Sequence, residues 1–195
     1  TLSLANSIVL AFRAPMIKAY AANEMKILDV MFGISNKCIL YLLSAITIPF
    51  FVEMEQVLTI WLGSPSVEVI TFARIILIYT VCLAISSPIT TIIQATGNVK
   101  FYYICTDSMT LMHLPLAYIM LRLGMPSYSV LLSMLSVIII AHIIRIVILK
   151  RCLKSFKLRT YLHEFLLRGL VITIISYLTT SIFRTYIDKE IIRLL

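Results

Sequence analysis

The stretch Val69–Gly97, VITFARIILIYTVCLAISSPITTIIQATG, decides the class of the molecule. A helix rises about 1.5 Å per residue, so about 20 apolar residues cross a hydrocarbon core about 30 Å thick. This run exceeds that length with one charge inside it, Arg74, and it is long enough to tilt. A membrane β-barrel would instead show shorter segments of strict apolar/polar alternation. None is present, so helices must satisfy the backbone in lipid.

The rest of the chain agrees. Of its 195 residues 61% are hydrophobic and 13% charged, with a mean hydropathy of +1.00. No soluble domain of this size needs that much apolar surface for its core. The formal charge is +8, from 17 Lys and Arg against 9 Asp and Glu. In a soluble protein that excess would suggest nucleic acid as a partner. Here the bases lie between apolar runs, where the positive-inside rule accounts for them and no nucleic acid is implied. Cys38, Cys82, Cys105 and Cys152 are far apart and form no metal-ligand spacing, so reduced thiols, no bound metal and no cofactor are expected.

On the bilayer ruler the chain divides into about five full spans preceded by a truncated first helix, Leu2 to about Ala22. The first full span runs from about Lys37 to Val52 and continues weakly through VLTIWLG; the second is the opening stretch. A third runs from about Tyr103 to Leu121, a fourth from Tyr128 to Leu149 and a fifth from about Phe165 to Phe183. The expected fold is an all-α polytopic transmembrane bundle forming one domain over 1–195. Because the chain starts at Thr1 inside an apolar run, it reads as a fragment of a longer one.

Bases near the span ends orient it. Arg13, Lys18, Lys26 and Lys37 fall on one side with Lys100 and the run Lys150, Arg151, Lys154, Lys157 and Arg159, which makes that side cytoplasmic. The opposite loops carry Glu53, Glu55 and Glu68 without a base, and Arg122 alone. Arg184, Lys189 and Arg193 are discordant, and a returning helix beyond them would account for their position. The loop LKRCLKSFKLRTYLHEF reads as an ordinary positive-inside loop near anionic lipid.

Polar residues are costly in a bilayer core, so function is sought there. In the second span Thr80, Ser87, Thr90, Thr91 and Gln94 form one stripe at about 100° per residue, and Pro88 frees a carbonyl within it. Two readings stand: the stripe lines an aqueous cavity, or its hydroxyls bond the backbone and pack against a neighbour. Arg74 lies off the stripe near the outer end, where snorkelling competes with its role as the best single anion contact. In the third span Tyr103, Thr106, Thr110, His113 and Ala117 share a face, with Asp107 beside it and Pro115 beyond His113. His113 is read as a proton relay or substrate contact, or else as a helix-to-helix hydrogen bond. In the fourth span Ser129, Ser133 and Ser136 suit close packing, and Arg145 is expected to snorkel beside His142. No paired carboxylates, Gly-rich phosphate loop or Ser/His/Asp grouping is visible, so no enzyme is expected.

One further stretch carries a resemblance. RAPMIKAYAANE, Arg13–Glu24, resembles the helix-end motif of the multidrug/oligosaccharidyl-lipid/polysaccharide exporter superfamily, matching at Pro15, Ile17, Tyr20, Ala21 and Glu24. The family's usual Asn before the proline is Ala14 here, and its usual Gly before the acid is Asn23. IWLGSPSVEVITFARIILIYTVCLAISSPITTIIQATGNVKFY is similar to the long kinked helix after the outer loop in bacterial O-antigen and capsule flippases. The resemblance implies most of a carboxy-terminal, MATE-like lobe of a multi-pass transporter in the bacterial plasma membrane. Such a lobe meets an amino-terminal lobe of the same protein and moves undecaprenyl-pyrophosphate-linked oligosaccharide through a cavity near mid-membrane. On that reading the cavity candidates are Arg74, Ser87, Thr91, Gln94, Thr110 and His113, with Asp107 as the ion-coupling candidate. A cation-coupled multidrug antiporter is the alternative in the same superfamily. A membrane-embedded polysaccharide polymerase or glycosyltransferase is the alternative outside it, although the short outer loops leave little room for its catalytic acids.

Overall fold

The computed structural model describes residues 2–97, 99–153, 161, 169 and 171–182, and these are helical wherever they are regular. In chain order the helices are α1 (Leu2–Ala21), α2 (Met25–Val52), α3 (Met54–Leu62), α4 (Val67–Ala95), α5 (Val99–Leu111), α6 (His113–Arg122), α7 (Ser129–Cys152) and α8 (Val171–Ile182). Four of them are long and apolar enough to cross a membrane, counting Val99–Arg122 as one: Met25–Val52, Val67–Ala95, Val99–Arg122 and Ser129–Arg151. The molecule is therefore an all-α polytopic membrane bundle. Part of the fifth expected span is the apolar helix α8; the remainder of 165–183 apart from Gly169, the bases Lys154, Lys157 and Arg159, and the discordant Arg184, Lys189 and Arg193 lie outside the described residues.

The connections explain why the helices run up and down. α1 ends in a Schellman turn, with Glu24 N–H donating to the Ala19 carbonyl at 2.9 Å and Asn23 N–H to that of Tyr20 at 3.0 Å. That geometry requires a positive φ, and Asn23 supplies it at 60°, where the resembled motif has glycine. The same device closes α6, where Gly124 has φ 77° and Met125 N–H reaches the Met120 carbonyl at 3.2 Å. At the start of α4, Ser66 caps Val69 N–H through its Oγ at 3.4 Å. The first full span begins earlier than the expected Lys37. α2 is 28 residues long and takes Lys26, Asp29 and Lys37 into the helix, because nothing between Met25 and Lys37 breaks it.

The third span differs from a single helix. It breaks at Met112 into α5 and α6. Pro115 cannot donate to the Leu111 carbonyl and its ring would crowd that group, but in the first turn of a new helix the missing donor costs nothing. The break is stitched locally: His113 Nδ1 meets the Thr110 carbonyl, and Ser133 Oγ, whose proton goes to the Val130 carbonyl at 2.7 Å, sits 3.4 Å from the His113 carbonyl.

α4 is the hub, packing most extensively on α7 and α1 and also on α2. Lipid tails are as apolar as leucine, so close van der Waals fit holds such helices together. The main cluster, including Met16, Leu28, Ile89, Ile93, Tyr102 and Leu149, lies at the end where the basic turns gather, and Tyr161 stacks on Phe32 beside it at 5.7 Å between ring centroids. At the opposite end Met54 and Leu58 of α3 pack on Ile70 of α4. Ser129 and Ser133 of α7 are fully buried, as close packing requires, whereas Ser136 is exposed and bonds its own helix at the Leu132 carbonyl.

Candidate functional site

The polar stripe of α4 opens onto a cavity of about 450 Å³ bounded by α1, α4, α5 and α7. Its α4 wall includes Ser86, Ser87, Thr90, Thr91 and Gln94; α5 adds Tyr102, Tyr103, Thr106 and Asp107; α1 adds Asn6 and Arg13, and α7 adds Arg145. Both readings of the stripe hold at once. The hydroxyls of Ser86, Thr90 and Thr91 bond the carbonyls four residues back, at 3.0, 3.1 and 3.2 Å, and the same groups face the cavity. Thr80 donates to the Leu77 carbonyl at 2.7 Å and is not part of the wall.

Arg145 departs from its expected snorkelling. It is 8% exposed, and Nε donates to Tyr102 Oη at 3.1 Å. Proton counting then orders the chain beyond it. With the Thr90 proton on the Ser86 carbonyl, the 2.8 Å contact between Tyr102 Oη and Thr90 Oγ1 is a bond donated by tyrosine. Nη1 of Arg145 is buried with no partner among the described residues. A guanidinium in a cavity wall carries the planar set of donors that a phosphate or carboxylate oxygen accepts from. His142, three residues earlier, contacts Ser86 Oγ through Nδ1 at 2.8 Å and fixes α7 to α4 one turn from Arg145.

A second polar chain runs along the wall. Arg13 Nη2 donates to Gln94 Oε1 at 3.2 Å, and Gln94 Nε2 donates to Tyr103 Oη at 2.8 Å. Arg13 and Tyr103 are exposed, which puts this chain at the mouth, with the 8%-exposed Arg145 deeper. Among the described residues the lining holds two guanidinium groups against one carboxylate, Asp107.

The candidates sort clearly. Ser87, Thr91, Gln94 and Asp107 are brought together in the cavity; Arg74, Thr110 and His113 are not. Arg74 sits toward the other end of α4 with its guanidinium over the Phe51 ring, 5.6 Å from the centroid, a cation–π contact that occupies it elsewhere. Thr110 is exposed and bonds the Thr106 carbonyl at 2.9 Å, and His113 serves the α5–α6 break. Ser87 lies 20 residues beyond Val67, about 30 Å along α4, so the site occupies the half of the bundle beside the basic turns.

The burial of Arg145 had a signal in the sequence. Proximity to the basic end suggested snorkelling, yet Ile138, Ala141, Arg145, Ile148 and Leu149 repeat at three- and four-residue spacing, and all are buried. That stripe placed Arg145 on the packed face of α7. Comparison with protein-family models, with curated proteins and with solved structures returns no match for this chain.

Proposed function

We propose that the chain is part of a multi-pass transporter of the exporter superfamily it resembles, one that flips undecaprenyl-pyrophosphate-linked oligosaccharide across the bacterial plasma membrane. The observation that carries this reading is Arg145, a buried cation in the wall of a polar cavity inside a membrane bundle, with its buried Nη1 unpartnered among the described residues. Burying an arginine in lipid is expensive, by about 2.5–3.5 kcal/mol on insertion scales, and an anionic ligand would offset that cost. Pyrophosphate offers oxygens to Arg145 and, at the mouth, to Arg13. The hydroxyls and amide of Thr90, Thr91 and Gln94 suit the attached sugars. On the positive-inside rule the cavity lies in the cytoplasmic half of the membrane.

A deletion strain complemented with the parent gene tests the reading through O-antigen or capsule export. Export is lost on deletion and restored by the gene; unchanged export on deletion rejects the proposal. The presence of Asp107 in the lining favours one second reading, a cation-coupled drug antiporter using that carboxylate. It predicts altered drug resistance on deletion, with export intact.

A further inference from the structure

The tip joining α3 to α4 exposes a run of large apolar side chains. Ile60 is 88% exposed, Trp61 82% and Val67 79%, with Leu62 also exposed. Thr59, Ser64, Ser66 and Glu68 alternate with them around the Gly63 turn. The apolar residues continue along α4 into Val69, Ile76 and Ile78, exposed positions on a helix long and apolar enough to cross a membrane. In water such a tip would be a liability. At the boundary between acyl chains and headgroups, tryptophan beside hydroxyl and carboxylate groups is well placed, because its ring is apolar and its N–H is wet.

Length fixes the depth. α4 has 29 residues, about 43 Å at about 1.5 Å per residue, which matches a bilayer of about 40–45 Å including both headgroup layers. When the Gly97 end of α4 lies among the basic residues in one headgroup layer, the Gly63 end falls in the other. We infer that the α3–α4 tip, through Ile60, Trp61, Leu62 and Val67, is a lipid-binding anchor seated in the headgroup layer of the leaflet opposite the basic turns. It holds α4 at fixed depth while the far half of the same helix forms the cavity wall. The inference stands on burial and length, independently of what the cavity carries.

Trp61 is the sole tryptophan of the chain, so its fluorescence reports the tip without any substitution. The chain would be reconstituted in phosphatidylcholine vesicles brominated either near the headgroup end or near the methyl end of the acyl chains. The anchor predicts emission blue-shifted from free tryptophan and stronger quenching by the shallow bromines than by the deep ones. Water-like emission quenched by acrylamide and by neither lipid would place the tip in solvent and overturn the inference. Quenching by neither lipid nor acrylamide would mean that protein covers it, and stronger quenching by deep bromines would place it in the core; either result also overturns it.

Discussion

Tyr102 is the residue on which the candidate site turns. Its hydroxyl accepts from Arg145 Nε and donates to Thr90, so it fixes a buried cation between α5, α7 and α4. Tyr102→Phe removes the acceptor and leaves a second guanidinium nitrogen unpaired, which is expected to cost about 1–3 kcal/mol of stability. Tyr103→Phe, at the exposed mouth, removes a bond that water replaces and should cost less than about 1 kcal/mol. Unfolding in mild detergent compares the two, and equal losses would contradict the assignment of Tyr102 as the buried strut. Arg145 itself shows what composition hides. A charged residue near a span end has a cheap default in snorkelling, and only the buried residues three and four positions away reveal that its helix face is packed.

At the scale of elements, helices and their ends were legible because their causes are local. Val69–Gly97 announced α4 by length and hydropathy, and Gly97, with φ 76°, marks its end as a Schellman-type glycine should. The break between α5 and α6 was less legible. Pro115 was in plain view, but whether a proline kinks a helix or restarts it depends on partners such as Ser133 that lie on another helix. The α1–α2 turn gives a sharp test. Asn23→Gly should leave stability within a few tenths of a kcal/mol, whereas Asn23→Val forces a β-branched residue into the left-handed region and should cost about 1–2 kcal/mol. Thermal unfolding of both variants checks this; a tolerated valine would show that the turn is not held as described.

For the whole molecule, the distribution of charge and the cavity point to one orientation. Lys18, Lys26, Lys100, Lys150 and Arg151 gather at the end beside the cavity, and Glu53, Glu55 and Glu68 at the other. With Cys38, Cys82, Cys105 and Cys152 replaced by serine, Ser64→Cys should react with an impermeant maleimide in intact cells, and Lys100→Cys only after the membrane is opened. The reverse pattern would invert the topology and move the cavity to the outer half. The bundle follows from patterns along one chain, but the site does not. It needs α1, α4, α5 and α7 to converge, and sequence patterns spread the candidates along α4, α5 and α6, so that Arg74 stood with residues about 20–30 Å further along α4, and Thr110 and His113 with residues one to two turns away. The central claim is that Arg145 receives a pyrophosphate. Binding of undecaprenyl pyrophosphate to the reconstituted protein tests it directly. Arg145→Ala should weaken binding at least about tenfold, as loss of a charge-assisted bond worth about 1.5–3 kcal/mol requires, while Arg74→Ala leaves it unchanged. Equal binding by the wild type and Arg145→Ala would contradict the account.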